Sequence, residues 1–355
     1  MKPSVLYIAG TGRSGSTLLA GLLGRLDGHV AVGELRYVWS RALVTDHLCE
    51  CGARFRSCPF WTDVFAEAFG GFDESRPEEV ARLAARVDRI RHIPRLAAPA
   101  LRSAEFRADL EAFGQVLRRL YSAIRSVSGA SVVVDSSKDP SYAYVLCACP
   151  SVDVALVHLI RDSRAVAYSW TRQKVRPEVH WKVEYMQRRP PSLSARRWVQ
   201  YHLVLDVLER RVPRSLRVRY EDLAADPEAA VARVAGLTEA QRRVPVGRSA
   251  ASGPSAPPLR SGPQPAGHSV AGNPVRFEDP RPVRPDLAWV EEMAPEDRRL
   301  VTALTAPLLV RYGYLGLRGP NAMSGLRGPN AMTGLRGPNA TAGLRGPNAS
   351  TGRRR

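Results

Sequence analysis

Gly10 and Gly15, in "LYIAGTGRSGSTLL", stand between an apolar run and a second apolar run with helical spacing. GxxxxG followed by Ser16 and Thr17 is the layout of a loop that converges backbone N–H groups on a phosphate at a helix N-terminus. A nucleotide-hydrolysing loop carries lysine at position 16, where this chain has serine, and the positive charge comes instead from Arg13 inside the turn. A guanidinium is always charged and offers a fixed fork to phosphate or sulfate oxygens. A second pair able to meet an anion is Arg161, closing the run "VDVALVHLIRD", and Ser169 in the segment after it. The plainer reading of that segment is Asp162 as a helix cap beside a surface arginine. Glu34, in "VGELR", is a carboxylate at the end of a short β-like run, where it can act as a base.

Those residues need a frame that brings strand ends together. Residues 4–9 (SVLYIA) read as a first strand and Ser16 to Leu26 as its helix. "HVAVG" gives a second strand ending near Gly33, and helical periodicity runs from about Glu78 to Val127. "ASVVVDSSKDP" and "VDVALVHLIRD" are continuous β-branched runs of the kind buried in parallel sheets. "SRAVAYSWTRQK" and residues 193–211 read as helices, and "SLRVRYEDL" as a further strand and turn. Strands alternating with helices predict a single α/β domain over residues 1–315. Its central, mainly parallel sheet has helices on both faces and ligands at the strand carboxyl ends.

Two segments stand outside that plan. Residues 246 to about 267 are rich in Pro, Gly, Ser and Ala and read as a loop. From Gly316 a nine-residue unit (GLRGPNAMS and variants) repeats four times before a final GRRR. With Gly and Pro in every unit and little apolar content, the tail is expected to be disordered.

The net charge of +18 includes seven arginines in the tail; subtracting them leaves +11 for the remainder. A basic surface favours anionic ligands. RNP motifs, zinc-finger histidine pairs and a basic aromatic-studded helix are absent, so nucleic acid is the weaker partner. No run of about 18 apolar residues predicts a membrane span. The N-terminus enters a strand without a signal-peptide pattern, from which a cytoplasmic protein is expected. The Ala- and Arg-rich composition is that of a GC-rich bacterium.

Cys49, Cys51 and Cys58, with His47 nearby, form C-x-C-x6-C without the second pair of a familiar zinc motif. No metal is assigned on that spacing, and the segment is expected to pack beside the acceptor site with Phe60 and Trp61 as core anchors. An odd cysteine count of five argues against a disulfide framework.

Taken together, "GTGRSGSTLL" resembles the 5′-phosphosulfate loop, and "IRDSRAVAYS" the 3′-phosphate motif, of the sulfotransferases that use 3′-phosphoadenosine 5′-phosphosulfate (PAPS). "VRYEDL" is a further phrase common in that family, and "HSVAGNPVRF" resembles a late cofactor-closing loop of one bacterial branch. The resemblance covers residues 4–240 and 268–315. It implies a P-loop-like fold, with Arg13, Ser14, Gly15, Ser16 and Thr17 on the 5′-phosphosulfate and Arg161 and Ser169 on the 3′-phosphate. Tyr220, Asn273 and Arg276 are further cofactor candidates. In tyrosylprotein sulfotransferases a similar Gly-Glu phrase, with Arg two residues on, supplies the catalytic base, which implies Glu34 and Arg36 here. "SSKDP" resembles that family's Lys-Asp-Pro phrase and offers Lys138 to neutralise the leaving oxygen.

The implied reaction is in-line sulfuryl transfer, without a required metal, to a small-molecule hydroxyl (sugar, lipid or natural product) or, less favoured, an amine. Other branches of the family use a histidine base. His180 is the reserve, His158 reads as structural, and His29 and His47 lack supporting context. The alternatives from the residues alone are a small-molecule kinase with a degenerate P-loop and a non-catalytic anion- or nucleotide-binding protein.

Overall fold

The apolar runs become five strands: β1 (Ser4–Gly10), β2 (His29–Gly33), β3 (Val132–Lys138), β4 (Asp153–Ile160) and β5 (Ser215–Arg219). They form one sheet in the order β2-β3-β1-β4-β5, and every pairing is parallel. The computed structural model describes residues 2–239, 267–278 and 283–315, all but Leu315 within one compact unit, Met1–Tyr314. The remainder of the loop at 246–267 and the repeat tail lie outside the described residues.

Side-chain alternation along the central strands divides the core in two. Val5, Tyr7 and Ala9 of β1, with Val133 of β3, join one apolar cluster with residues of helices Pro59–Phe69, Ala104–Ser128 and Pro140–Ala148. Leu6 and Ile8, with Val132 and Val134, join another with helices Ser16–Leu23 and Pro227–Glu239. Both faces are therefore covered, which explains why β1, the first half of β3 and most of β4 run as continuous apolar stretches rather than alternating. Among the described residues, no helix is long and apolar enough to cross a membrane.

Element ends shift modestly from the sequence reading. The first helix stops at Leu23 rather than Leu26, because Gly24 caps it. The helical stretch expected over 78–127 breaks after Val87 and continues as a long helix only from Ala104, with a short helix Ile93–Ala97 carrying Pro94 near its start and a 3₁₀ turn Pro99–Leu101 between. Resumption at Ala104 has a local cause: Ser103 accepts from the Phe106 N–H at 3.2 Å. Asp139 and Asp162 cap the helices after β3 and β4 in the same way, accepting from Ser141 N at 3.0 Å and Arg164 N at 2.8 Å. The expected capping role of Asp162 thus holds, whereas Arg161 is buried rather than on the surface.

The sheet has an addition from late in the chain. Val270 bridges in parallel to Gly33: its N–H donates to Val32 O at 2.9 Å, and its carbonyl accepts from Glu34 N at 2.7 Å. Gly33 has φ 75°, and a Cβ there would collide with the Val270 backbone. A left-handed conformation costs a non-glycine residue about 1–2 kcal/mol even without a clash. Gly33→Ala is therefore expected to lower stability by about 1–3 kcal/mol. Gly21→Ala, at a helix position open to solvent, should leave stability unchanged or raise it by about 1 kcal/mol. Paired urea denaturation curves measure both.

Candidate active site

β1 and β4 are neighbours whose following connections leave in opposite directions, the arrangement that opens a crevice at the carboxyl ends of a parallel sheet. The Gly10–Gly15 turn and Arg161 occupy that edge. In the turn, Arg13 itself adopts φ 72° and Gly15 φ 91°, and a Cβ on Gly15 would strike the Tyr220 ring. Gly15 caps the Ser16–Leu23 helix without a side-chain bond, so the first N–H groups of that helix point into the crevice.

Arg13 is buried, 9 % exposed, although it carries a charge. Its Nη2 lies 3.1 Å from Met186 Sδ, and its guanidinium stands 5.0 Å from the centre of the Trp170 ring. Arg189 stacks on the same ring at 3.7 Å. Burial, then repulsion from Arg189, pulls the Arg13 pKa down to about 10. Among the described residues, Arg13 Nε and Nη1, Ser14 Oγ and Thr11 Oγ1 are buried with no hydrogen-bond partner.

Arg161 donates from Nη1 to the Arg13 carbonyl at 3.1 Å and from Nη2 to Asp286 Oδ2 at 2.9 Å. Its Nε is buried without a partner among the described residues. Its guanidinium lies 4.4 Å from the centre of the Tyr220 ring, which thereby packs against both anion-site candidates. Ser169 is buried farther along the helix Ser163–Thr171, and no hydrogen bond joins it to Arg161 among the described residues.

Across β1, at the ends of β2 and β3, Lys138 Nζ donates to Glu34 Oε1 and to Ser136 O at 3.1 Å. Lys138 holds φ 68°, and the β1–β3 register shifts beside it, between Tyr7 and Ala9. Glu34 is 8 % exposed. Arg36 turns the other way: its Nε donates to Asp88 Oδ2 at 2.6 Å, and Nη1 lies 3.5 Å from Asp139 Oδ2. Burial alone would lower the Arg36 pKa, but the carboxylates of Asp139 and Asp88 outweigh it and hold the pKa above the ordinary value. Arg36 therefore braces the turn behind Glu34.

The segment resembling a closing loop comes to the same place. The Asn273 N–H donates to Thr17 Oγ1 at 3.4 Å, while its side-chain Oδ1 caps its own short helix, accepting from Val275 N at 3.3 Å. A Cβ on Gly272 would stand 3.4 Å from Glu34 Oε1 and 3.6 Å from Arg276 Nη1, so these groups crowd one point. All three Arg276 guanidinium nitrogens are buried without a hydrogen-bond partner among the described residues. Burial lowers the Arg276 pKa against the opposing carboxylates of Glu178 and Glu34.

His180 is exposed and packs edge-on against Trp181. His158 is fully buried, hydrogen-bonded to His202 at 2.8 Å and Glu209 at 3.0 Å, in keeping with a structural role. His47 lies against Trp181, and the imidazole that meets the three cysteines is His268 instead. Phe60 stacks on that ring and Trp61 is fully buried. Sequence reasoning missed Asp286 and Arg189, which come from segments with no motif of their own, and Trp170 and His268, which stand in quoted segments whose roles were read from other residues.

It also missed Asp135, buried beneath the site on β3. Its carboxylate accepts from the Ser137 N–H at 2.8 Å, from Ser137 Oγ at 2.5 Å and from the Tyr121 hydroxyl at 2.6 Å. Ser137 Oγ in turn accepts from the Arg36 N–H at 3.1 Å. Burial pushes the Asp135 pKa up from 3.8 to about 6, against the lowering effect of those hydrogen bonds. Because the folded form holds this proton to a higher pH than the unfolded form, stability from this site is greatest at low pH and falls as pH rises from 3.8 to about 6. The stability of the native chain relative to Asp135→Asn, followed by thermal melts across that window, should decline with rising pH.

A model of the sulfotransferase family matches residues 4–240. No curated protein sequence matches the chain. Among solved structures, the chain is similar to a sulfotransferase domain from the curacin biosynthetic pathway, at 13 % identity and TM-score 0.42, covering 86 % of this chain and 98 % of that one. It is also similar to a sulfotransferase from Mycobacterium avium, at 13 % identity and TM-score 0.36, covering 67 % and 64 %. The match over residues 4–240 makes this chain a member of the sulfotransferase family.

Proposed function

We propose that the protein transfers a sulfuryl group from PAPS to the hydroxyl of a small-molecule acceptor. The observation that carries this reading is the set of buried donors without partners at the adjacent ends of β1 and β4: Arg13 Nε and Nη1, Ser14 Oγ and Thr11 Oγ1 on one side, Arg161 Nε on the other. Buried polar groups are ordinarily satisfied, so donors left over in two neighbouring groups fit a ligand that is anionic at both ends. PAPS has that form, and when bound it supplies the sulfuryl group and leaves as adenosine 3′,5′-bisphosphate.

In this reading the 5′ end rests on Arg13, Ser14, Gly15, Ser16 and Thr17, and the 3′-phosphate on Arg161 and Ser169. Tyr220 contributes its ring between the two, and the segment bearing Asn273 and Arg276 covers the 5′ end. Glu34 accepts the proton of the acceptor hydroxyl, which would otherwise leave a poor nucleophile. Lys138, already beside Glu34, and Arg13 stabilise negative charge gathering on oxygen. Positioning and fixed charge do most of the work, as in phosphoryl transfer. Arg36 acts through the backbone that carries Glu34.

Thermal shift with adenosine 3′,5′-bisphosphate against ADP and 5′-AMP tests the donor. The bisphosphate at about 100 times its dissociation constant should raise the melting temperature by roughly 3 °C, with ADP and 5′-AMP well below it, and Arg161→Ala should abolish the difference. Equal shifts from all three nucleotides would remove the 3′-phosphate assignment. Glu34→Gln should keep the bisphosphate shift and lower kcat by about 10²–10⁴-fold. Turnover retained in Glu34→Gln would move the base to His180, and turnover that requires ATP with added Mg²⁺ would favour a kinase.

A further inference from the structure

Three cysteines close in sequence and one histidine far from them converge beside the site. Cys51 Sγ lies 3.6 Å from Cys58 Sγ, and Cys58 Sγ lies 3.7 Å from Cys49 Sγ. His268 Nδ1 stands 3.3 Å from Cys58 Sγ and 3.8 Å from Cys49 Sγ. All four ligand atoms fall within 4.8 Å of one another. A zinc ion with Zn–S near 2.3 Å and Zn–N near 2.0–2.1 Å has tetrahedral edges of about 3.8 Å between sulfurs and about 3.6 Å from sulfur to nitrogen. The observed edges match that polyhedron. They do not match a disulfide, whose sulfurs are about 2.05 Å apart.

The surroundings also fit a closed metal centre. Gly52, at φ 86°, lets the chain turn sharply after Cys51, and its N–H donates to Cys49 O at 2.9 Å. Cys58 is the cap residue of helix Pro59–Phe69, where the helix dipole favours a thiolate. The His268 ring stacks on Phe60 at 4.6 Å and 12°, and its carbonyl accepts from Trp61 Nε1 at 3.0 Å, so the imidazole is fixed in place. Cys49 and Cys58 are buried. Among the described residues a second cluster, His158 with Asp206 and Glu209, has comparable spacing, but Arg217 and Arg311 already neutralise its carboxylates.

We propose that Cys49, Cys51, Cys58 and His268 bind one zinc ion in a closed, structural S₃N site that pins the segment His268–Phe277 to the body of the domain. Three protein thiolates and one neutral imidazole fill the tetrahedron, the thiol protons passing to solvent, so the ion has no open position for substrate. His268 is 210 residues from Cys58 along the chain, which makes the ion a long-range cross-link. Just beyond it, Val270 pairs with Gly33, the Asn273 N–H meets Thr17 and Arg276 comes to Glu34. The metal thus holds the near end of the segment that closes the candidate site, and it does so whatever the donor or acceptor proves to be.

The full chain, purified under reducing conditions and analysed by plasma mass spectrometry, should carry about one zinc per chain. After zinc removal, Co²⁺ should restore a thiolate-to-cobalt charge-transfer band and the intense visible bands of tetrahedral cobalt. His268→Ala should weaken Co²⁺ binding by about 10-fold or more, and His268→Cys should keep a tetrahedral spectrum shifted toward that of four thiolates. Hydrogen exchange should quicken on zinc removal at the Val270 amide and its neighbours, while β1 and β4 stay protected, separating local loosening from unfolding. Protein without bound metal that gives only the pale spectrum of octahedral cobalt would overturn the proposal. So would a disulfide between any two of the three cysteines in the freshly purified chain.

Discussion

Two arginines buried at one edge of a parallel sheet, Arg13 with Nε and Nη1 and Arg161 with Nε lacking a hydrogen-bond partner among the described residues, constrain everything around them. An uncompensated buried charge costs about 3–5 kcal/mol. The fold lowers that cost without removing the charge. Arg13 gains a sulfur contact with Met186 and the face of Trp170, and Arg161 gains the Arg13 carbonyl, one oxygen of Asp286 and the face of Tyr220. Even so, among the described residues each arginine keeps at least one N–H without a partner. A protein selected for stability alone would pair both charges, yet among the described residues Arg13 has no carboxylate within ion-pair distance and Arg161 only Asp286. The leftover donors are what the proposed anionic donor would satisfy.

Asp286 moderates the second of these charges. It holds Arg161 through a single oxygen, and its side chain is 40 % exposed. Such a carboxylate keeps the guanidinium oriented, and in the proposed reading it would give way to the 3′-phosphate, a stronger, multiply charged partner. The aromatic faces complement this arrangement. Trp170 lies against both Arg13 and Arg189, and Tyr220 against both Arg161 and the glycine turn, giving the cations attraction without consuming their hydrogen-bond donors.

The strands were legible in the sequence because a parallel sheet covered on both faces demands runs such as VVV and VALVHLI, and few other structures do. Gly10, Arg13 and Gly15 were legible because the turn geometry depends on residues adjacent in the chain. Pairing across the chain was not legible. Arg36 reads as a neighbour of the base from its position two residues after Glu34, yet its guanidinium goes to Asp88, 52 residues away. Asn273 reads as a cofactor ligand, yet its side-chain oxygen caps its own turn and its backbone N–H faces Thr17. His47 lies beside the cysteines in sequence, but the imidazole that reaches them comes from position 268. Local periodicity cannot say which loops converge when five parallel strands end at one edge.

Glu34 shows why such convergence needs support from outside the site. Three left-handed backbone positions meet around it: Gly33 at φ 75°, Lys138 at φ 68° and Gly272 at φ 103°. Only the lysine pays a steric penalty for its own conformation, about 1–2 kcal/mol. It persists because its ammonium is tied to Glu34 and to Ser136 O. Behind it, Asp135 holds Ser137, Ser137 holds the Arg36 backbone, and Arg36 is clamped to Asp88 and Asp139. On the open side the segment His268–Phe277 covers it, and among the described residues this segment joins the edge of the sheet through one parallel bridge at Val270. One bridge is weak support for a segment that must hold Arg276 against its own desolvation. A fixed point at His268 shortens the stretch of chain whose entropy must be lost to form that bridge, so the cysteine cluster and the carboxylate site belong to one mechanical unit, although they share no ligand.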